Sequence, residues 1–354
     1  MKDQDLSQDL QIQVQQALQQ QKPLSIQGGN SKSFYGRPVE GETLDVSGHQ
    51  GIIAYEPTEL AITVRAGTPL NTLEALLDEQ QQQLPFEPPN YNGQATIGGV
   101  VAAGLSGPRR PYAGSVRDSV LGVKIINGQG QILEFGGRVM KNVAGYDVSR
   151  LMVGAMGTLG LLLEISFKLR PQAEQEITLS KALTPDQARQ EWRKYFGQAT
   201  NLSATAYDGQ QLLLRLSGGS ASVAALHSRI GGDLIHDGAT TWAQLKNHQT
   251  PFFNKATTLW RITQRPASPL HDFPGKQQIE WNGGLLWLNS DAPAEEIHQL
   301  ACKHGGHAIL FRAADIPSTP FPPLPPALFR LHQKVKASLD PQGIFNPGKL
   351  YPDL

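Results

Sequence analysis

Two glycine-led turns offer the first chemistry. Leu24-Ser25-Ile26-Gln27 alternates as a short strand and runs into Gly28, Gly29, Asn30, Ser31 and Lys32. A strand that opens into small polar residues aims unshielded backbone amides at an anion such as a phosphate. The same residues also suit a solvent turn between two strands. Further on, Thr96 can cap a helix beginning Ile97-Gly98-Gly99, whose first turn carries no bulk, so a ligand could touch its amides directly. Both turns follow extended chain and could converge on one pyrophosphate from opposite sides. Fifteen of the 36 glycines lie between Tyr91 and Gly160, more than regular helices and strands tolerate, so this backbone is shaped to lie against something large.

The cations nearest that stretch are Arg109 and Arg110, set between Pro108 and Pro111, with Arg117 and Lys141 beyond. Each suits a substrate carboxylate or a developing negative charge, and each suits an ordinary surface position. Tyr112 and Tyr146 could pack on a cofactor or fill the core. The cluster Cys302-Lys303-His304-Gly305-Gly306-His307 offers three metal donors in six residues without a fourth. It reads as a helix C-cap at Gly305 with histidines at the negative end, and no metal site is expected.

Neither G-x-x-x-x-G-K-[ST] nor a G-x-G-x-x-G after a strand is present, so neither usual nucleotide cradle holds the anion. Thirty-one basic residues balance thirty-one acidic ones, which leaves no global field for nucleic acid or an anionic membrane. The single cysteine, Cys302, rules out an internal disulfide. With no leader pattern and no apolar run of spanning length, the expectation is a cytoplasmic protein.

The elements that must position these residues can be read from periodicity. Leu6, Leu10, Val14 and Leu18 predict an amphipathic helix over 3–21. Short strands are expected at 24–27, 43–46, 51–56 and 60–66, then a helix capped by Thr68 with Pro69 at its first position. Strands at 120–126 and 131–135 form a hairpin across Asn127-Gly128-Gln129-Gly130. Asp147 precedes a short helix, and Gly157-Thr158-Leu159-Gly160 turns into a strand over 161–169. After Pro171 glycine density falls and strands alternate with helices, an α+β pattern. Pro317 to Pro326 is a stiff connection with six prolines, followed by a helix over 327–339 and a turn-dense tail expected to return to the first domain.

The phrases ATIGG, GPRRP, SVRDSVLG, KNVAGYD and GTLG, with the tail DPQGIFNPGK, resemble the FAD-binding domain of the vanillyl-alcohol oxidase (PCMH) type, in the branch of the D-lactate dehydrogenases. The further phrases GGNSKSF, EPTEL, EPPNY, KNVAGYDVSRLMVG, TLWRI and GGHAILFRAAD are most similar to the FAD-binding subunits of glycolate oxidases. The resemblance implies an α+β chain: a two-subdomain PCMH-type FAD-binding domain at 1–171, a smaller α+β cap domain at 172–316, and a linker, helix and tail at 317–354 packing back on the FAD domain. It implies that Gly28 to Lys32 hold the diphosphate. Pro89, Thr96, Gly98, Gly99, Gly104, Gly107 and Pro108, with Arg109, Tyr112, Gly114, Arg117 and Asp118, would lie along the cofactor toward the flavin ring. Gly157, Thr158 and Gly160 would approach the adenosine or flavin side. Covalent relatives use a histidine or cysteine on the flavin, whereas the first turn offers Asn30 and Ser31, so non-covalent FAD is expected.

Oxidation of a hydroxyacid by a flavin needs a base for the hydroxyl proton and a cation for the carboxylate. Relatives supply polar groups with an H-x-G-D-G-N-x-H motif that this chain lacks, so the catalytic residues stay open among Arg109, Arg110, Lys141 and Tyr146. The expected function is that of the FAD-binding subunit of a glycolate-oxidising complex, a FAD-dependent 2-hydroxyacid oxidoreductase active within an assembly. Its partners would be a homologous flavin-containing catalytic subunit and an iron–sulfur subunit, since one cysteine cannot ligate a cluster. Peripheral membrane association would come only through that complex. The alternatives are a stand-alone 2-hydroxyacid dehydrogenase and a non-catalytic subunit with a vestigial flavin pocket.

Overall fold

A computed structural model describes residues 3–137, 147–195, 198, 200–314 and 320–354. The chain divides into two compact units. The first comprises Met1–Ser106, Ser115–Pro171 and Pro323–Leu354; the second comprises Gly107–Gly114 and Gln172–Pro322. The glycine-rich stretch is therefore shared between them, because its eight residues 107–114 pack with the second unit.

In the first unit, α1 (Ser7–Gln20) buries Leu10, Val14 and Ala17, one face at helical spacing, and leaves Ile12 exposed. The strands β1 (Leu24–Gln27) and β2 (Glu42–Asp45) pair in parallel. A separate antiparallel sheet orders β3 (Ile52–Glu56), β4 (Ala61–Arg65), β7 (Leu161–Lys168), β5 (Val120–Ile126) and β6 (Ile132–Gly136) as β3-β4-β7-β5-β6. Its central strand β7 is buried at seven of eight positions, so its sequence runs nearly continuously apolar instead of alternating. The polar exceptions on β7 are answered by cross-strand partners: Glu164 takes Lys124 Nζ at 3.1 Å and Ser166 meets Thr63 at 2.9 Å between hydroxyls.

Helix α2 (Leu70–Glu79) starts one residue later than its sequence suggests. Pro69 takes the cap position without a side-chain bond, while Thr68 accepts the amide of Gly51 at 3.0 Å. A buried threonine beside an unpaired strand-end amide satisfies that donor in preference to its own helix. At α3 (Ile97–Ala103) the expected cap forms: Thr96 Oγ1 accepts from the Gly99 amide at 3.4 Å, and Gly104 closes the helix at φ 64°. Asp147 likewise caps the single turn Val148–Leu151.

The tail is bonded into the first unit along its length. Leu24 N donates to Ile344 O at 2.7 Å, Asn346 N to Leu24 O at 3.0 Å and Arg37 N to Lys349 O at 3.0 Å. Lys336, in the C-terminal helix Pro326–Leu339, donates to Asp340, Thr158 O and Phe345 O, each within 2.8 Å. Asp340 is buried and also accepts the amides of Ile344 and Phe345.

The second unit is built on an eight-stranded sheet whose neighbours are all antiparallel. Its strands are β8 (Gln175–Ala182), β9 (Leu202–Tyr207), β10 (Gln211–Gly218), β11 (Asp233–Ile235), β12 (Leu259–Thr263), β13 (Lys276–Glu280), β14 (Leu285–Asn289) and β15 (His307–Arg312). They are ordered β11-β8-β10-β9-β13-β14-β12-β15. Helices Pro185–Tyr195, Ser220–Ile230 and Ala294–Lys303 pack their apolar faces onto it through Trp192, Val223 and Ile297. The edge strand β11, the helix Gly238–Lys246 and the strand β13 have no clear counterpart in the periodicity.

Candidate functional site

A cavity of about 370 Å³ lies within the first unit, a size in the usual range for small-molecule sites. One wall is the turn after β1. The amides of residues 28–32 donate to no group among the described residues, and Asn30 turns the chain at φ 52°. Successive amides left without partners at the rim of a cavity form an anion-binding concavity.

The second turn meets the first directly. A Cβ on Gly28 would strike Thr96 Oγ1, and one on Gly29 would overlap the Gln94 carbonyl. Only glycine lets the two turns approach this closely. The α3 amides serve a different purpose from those of the first turn, since Ile97 N donates to Thr68 O and Gly98 N to Ala66 O. The absent side chain of Gly98 matters for packing, because a Cβ there would sit 2.9 Å from the Ala66 methyl.

Among the described residues two lysines line the cavity and no carboxylate does. Lys32 Nζ lies 3.1 Å from Ser31 Oγ and 5.7 Å from the centre of the Tyr91 ring. Lys349 reaches the cavity from the tail, where its Cε would touch a Cβ built on Gly36. Neither lysine forms an ion pair among the described residues, and burial lowers each from its ordinary value to about 8. Asn346 fastens the tail here: its Oδ1 accepts the Ile26 amide at 2.8 Å and its Nδ2 donates to Met156 O at 2.7 Å.

Of the residues singled out from the sequence, Gly28, Gly29, Asn30, Ser31, Lys32, Thr96, Gly98, Gly99, Gly157 and Gly160 line this cavity. The others stand elsewhere. Pro89 is buried, and Gly104 packs on the backbone of Gly154. Arg117 donates to Val153 O, Asp118 completes a capping box with Ser115, and Thr158 Oγ1 bonds Ala155 O. Gly107, Pro108, Arg109, Tyr112 and Gly114 belong to the second unit. There Arg109 Nη2 meets Glu176 at 2.7 Å, and the Tyr112 hydroxyl donates to Asn282 Oδ1 at 2.7 Å. Arg110 lies 4.5 Å from the Trp281 ring. Lys141 and Tyr146 lie outside the described residues. Sequence reasoning missed Lys349 and Asn346, although both stand in the phrase Asn346-Pro347-Gly348-Lys349; a lysine just beyond a Pro-Gly turn was the available signal.

Comparison with known proteins identifies the frame around this cavity. Residues 6–136 match the model of a FAD binding domain, and residues 324–350 match that of the C-terminal domain of FAD linked oxidases. The glycolate oxidase subunit GlcE of Escherichia coli (strain K12) is 50% identical over 350 residues, covering 99% of either chain. The chain belongs to the FAD-linked oxidases. FAD is its cofactor. A more distant member, the glycolate oxidase subunit GlcD of Bacillus subtilis (strain 168), is 35% identical over 145 residues, 40% of this chain and 30% of that one. Among solved structures, p-cresol methylhydroxylase superposes with a TM-score of 0.74 over 98% of this chain and 87% of its own, at 12% identity. That likeness establishes the fold as the PCMH-type.

The cavity suits a diphosphate-bearing cofactor on three independent counts. Among the described residues, its first turn presents unbonded amides, its glycines leave no room for side chains between the two turns, and its charged side chains are cationic. Ile26, Val46, Met152, Met156 and Leu161 add apolar surface to its walls, which suits an adenosine or isoalloxazine group.

Proposed function

We propose that this protein is the FAD-holding subunit of a glycolate-oxidising complex that passes electrons to a partner. The observation that carries the reading is the 50% identity over essentially the whole of both chains to a glycolate oxidase subunit, joined to a cavity fitted for a diphosphate. FAD when bound supplies the two-electron acceptor for a hydroxyacid. The chain's own residues bind and orient it: residues 28–32 through their amides, Lys32 through charge, and Thr96, Gly98, Gly99, Gly157 and Gly160 by close approach. The binding is non-covalent, since no histidine or cysteine lines the cavity among the described residues.

The absence of the H-x-G-D-G-N-x-H motif favours a division of labour. The base and the carboxylate-binding cation then come from a homologous flavin-containing subunit, and an iron–sulfur subunit carries electrons onward. Among the described residues no helix is long and apolar enough to cross a membrane, and we place the complex in the cytoplasm or at the inner face of the membrane. The visible spectrum tests the reading. The purified chain is expected to show a flavin band that glycolate bleaches slowly until the partner subunits are added. Rapid bleaching of the isolated chain would establish a self-sufficient dehydrogenase instead, and a colourless protein that gains no thermal stability from FAD would establish a vestigial pocket.

A further inference from the structure

The two ends of the chain meet at the cavity. The turn after β1 brings Lys32, and the tail, more than three hundred residues later, brings Lys349. Their backbones are tied by bonds from Ile26 to Asn346, from Arg37 N to Lys349 O, and from Arg37 Nε to Gly348 O at 2.8 Å. The other titratable side chains beside them among the described residues are Tyr35, Arg37 and Tyr91, and none is a carboxylate. Two ammonium groups held in one cavity without an acidic partner repel one another and are poorly hydrated. Such an arrangement persists at little cost only where a ligand supplies the negative charge. Lys124 shows the ordinary solution in the same unit, since it is answered by Glu164 and Glu134.

We propose that Lys349 is a second cation on the diphosphate of FAD, opposite Lys32, so that bound FAD reinforces the docking of the C-terminal tail. This rests on the assignment of the cavity to FAD. A charge-assisted contact of this kind corresponds to roughly 10- to 100-fold in affinity. Lys349 acts as a binding residue and takes no part in the chemistry. Its partner on the tail, Asn346, acts by positioning, because both of its amide groups are used on backbone.

The test is titration of the full-length apo chain with FAD and, separately, with ADP, which carries the same diphosphate without the flavin. Wild type is compared with Lys349→Met, Lys349→Arg and Lys32→Met at several salt concentrations. Lys349→Met is expected to weaken both ligands by roughly 10- to 100-fold and to make their salt dependence shallower; Lys349→Arg keeps most of the affinity. FAD is expected to slow hydrogen exchange at the amides of residues 344–349 in wild type and to do so less in Lys349→Met. Circular dichroism and melting of the apo forms separate these effects from misfolding, and Lys32→Met supplies the same comparison from the other end of the chain. Equal affinity and equal salt slope in wild type and Lys349→Met would overturn the role of Lys349 while leaving the FAD cavity intact. Failure of wild type to take up FAD at all would overturn the cavity assignment itself.

Discussion

The cavity of the first unit and the cluster around Glu176 in the second treat charge in opposite ways. In the first, the cavity holds Lys32 and Lys349 with no Asp or Glu side chain in its lining and leaves five successive amides unbonded among the described residues. In the second, the polar groups around Glu176 and Glu280 answer one another. Arg109 meets Glu176 at 2.7 Å and Ser217 at 3.3 Å, Arg215 lies 3.7 Å from the same glutamate and 3.1 Å from Ser203, and the Trp287 indole donates to Glu280 at 2.9 Å. A closed network specifies a fold, whereas charges of one sign left open in a cavity specify a ligand. Arginine and lysine look alike as candidates in a sequence. Their partners separate the two uses.

Changes that strike the open region should act on FAD first. The largest effect is expected from Gly29→Ala, whose methyl would overlap the Gln94 carbonyl and push the two turns apart. Flavin absorbance per purified chain should fall below about a tenth of wild type, with about 1–3 kcal/mol of lost stability from overpacking. Undiminished flavin content in this variant would break the distinction outright. Asp340→Asn comes next. It strips the counter-charge from Lys336 and weakens the acceptor of two buried amides, so denaturant unfolding of the apo chain should register a loss of about 3 kcal/mol.

A pH series sharpens the comparison without mutation. Both cavity lysines are charged below about 8 in the free protein, and FAD requires the charged forms. Affinity should hold steady below that pH and then weaken several-fold per pH unit as binding has to draw protons back onto them. Fluorescence titration between about pH 7 and 9.5 would detect it, and Lys349→Met should flatten the curve. The smallest change is expected from Glu176→Gln in the closed region. Glu176 is a third exposed, so solvent screens much of the lost attraction and the melting experiment should return about 1–2 kcal/mol. A loss of FAD affinity beyond that destabilisation would return the segment 107–114 to the cofactor. His248 gives the second unit its own pH response. Buried against Phe253, Trp287 and Phe311, it is lowered to about 3. The unfolded chain therefore binds a proton that the folded one refuses, and stability should fall as pH drops below about 6.5.

Much of the fold was legible because apolar spacing and turn chemistry agree locally. β1, β5 and the helix Pro326–Leu339 fall where alternation or helical spacing places them, and Thr96 caps α3 as its sequence suggests. The misses share a cause. β11 has only three residues and lies at an edge, too short for a period to register, and Thr68 found a stronger claim from the Gly51 amide than from its own helix. At the site, glycine pairs and a nearby lysine could be read as an anion cradle in outline. Which amides remain unbonded could not, because Gly98 and Gly28 look equivalent until Ala66 is seen to occupy one of them. Lys349 stayed hidden because a lysine in a turn-rich tail is ordinarily a solvated one.

The bond from Ile26 to Asn346 spans 320 positions, and it has a consequence for timing during synthesis. A ribosome adding about 5–20 residues per second delivers the first turn early and the lysine of the tail roughly 15 to 70 seconds later. Until then the nascent chain carries every part of the cavity lining except Asn346 and Lys349. A chain that stops short of Asn346 would have completed nearly all of its folding and still lack the strap that closes the cavity.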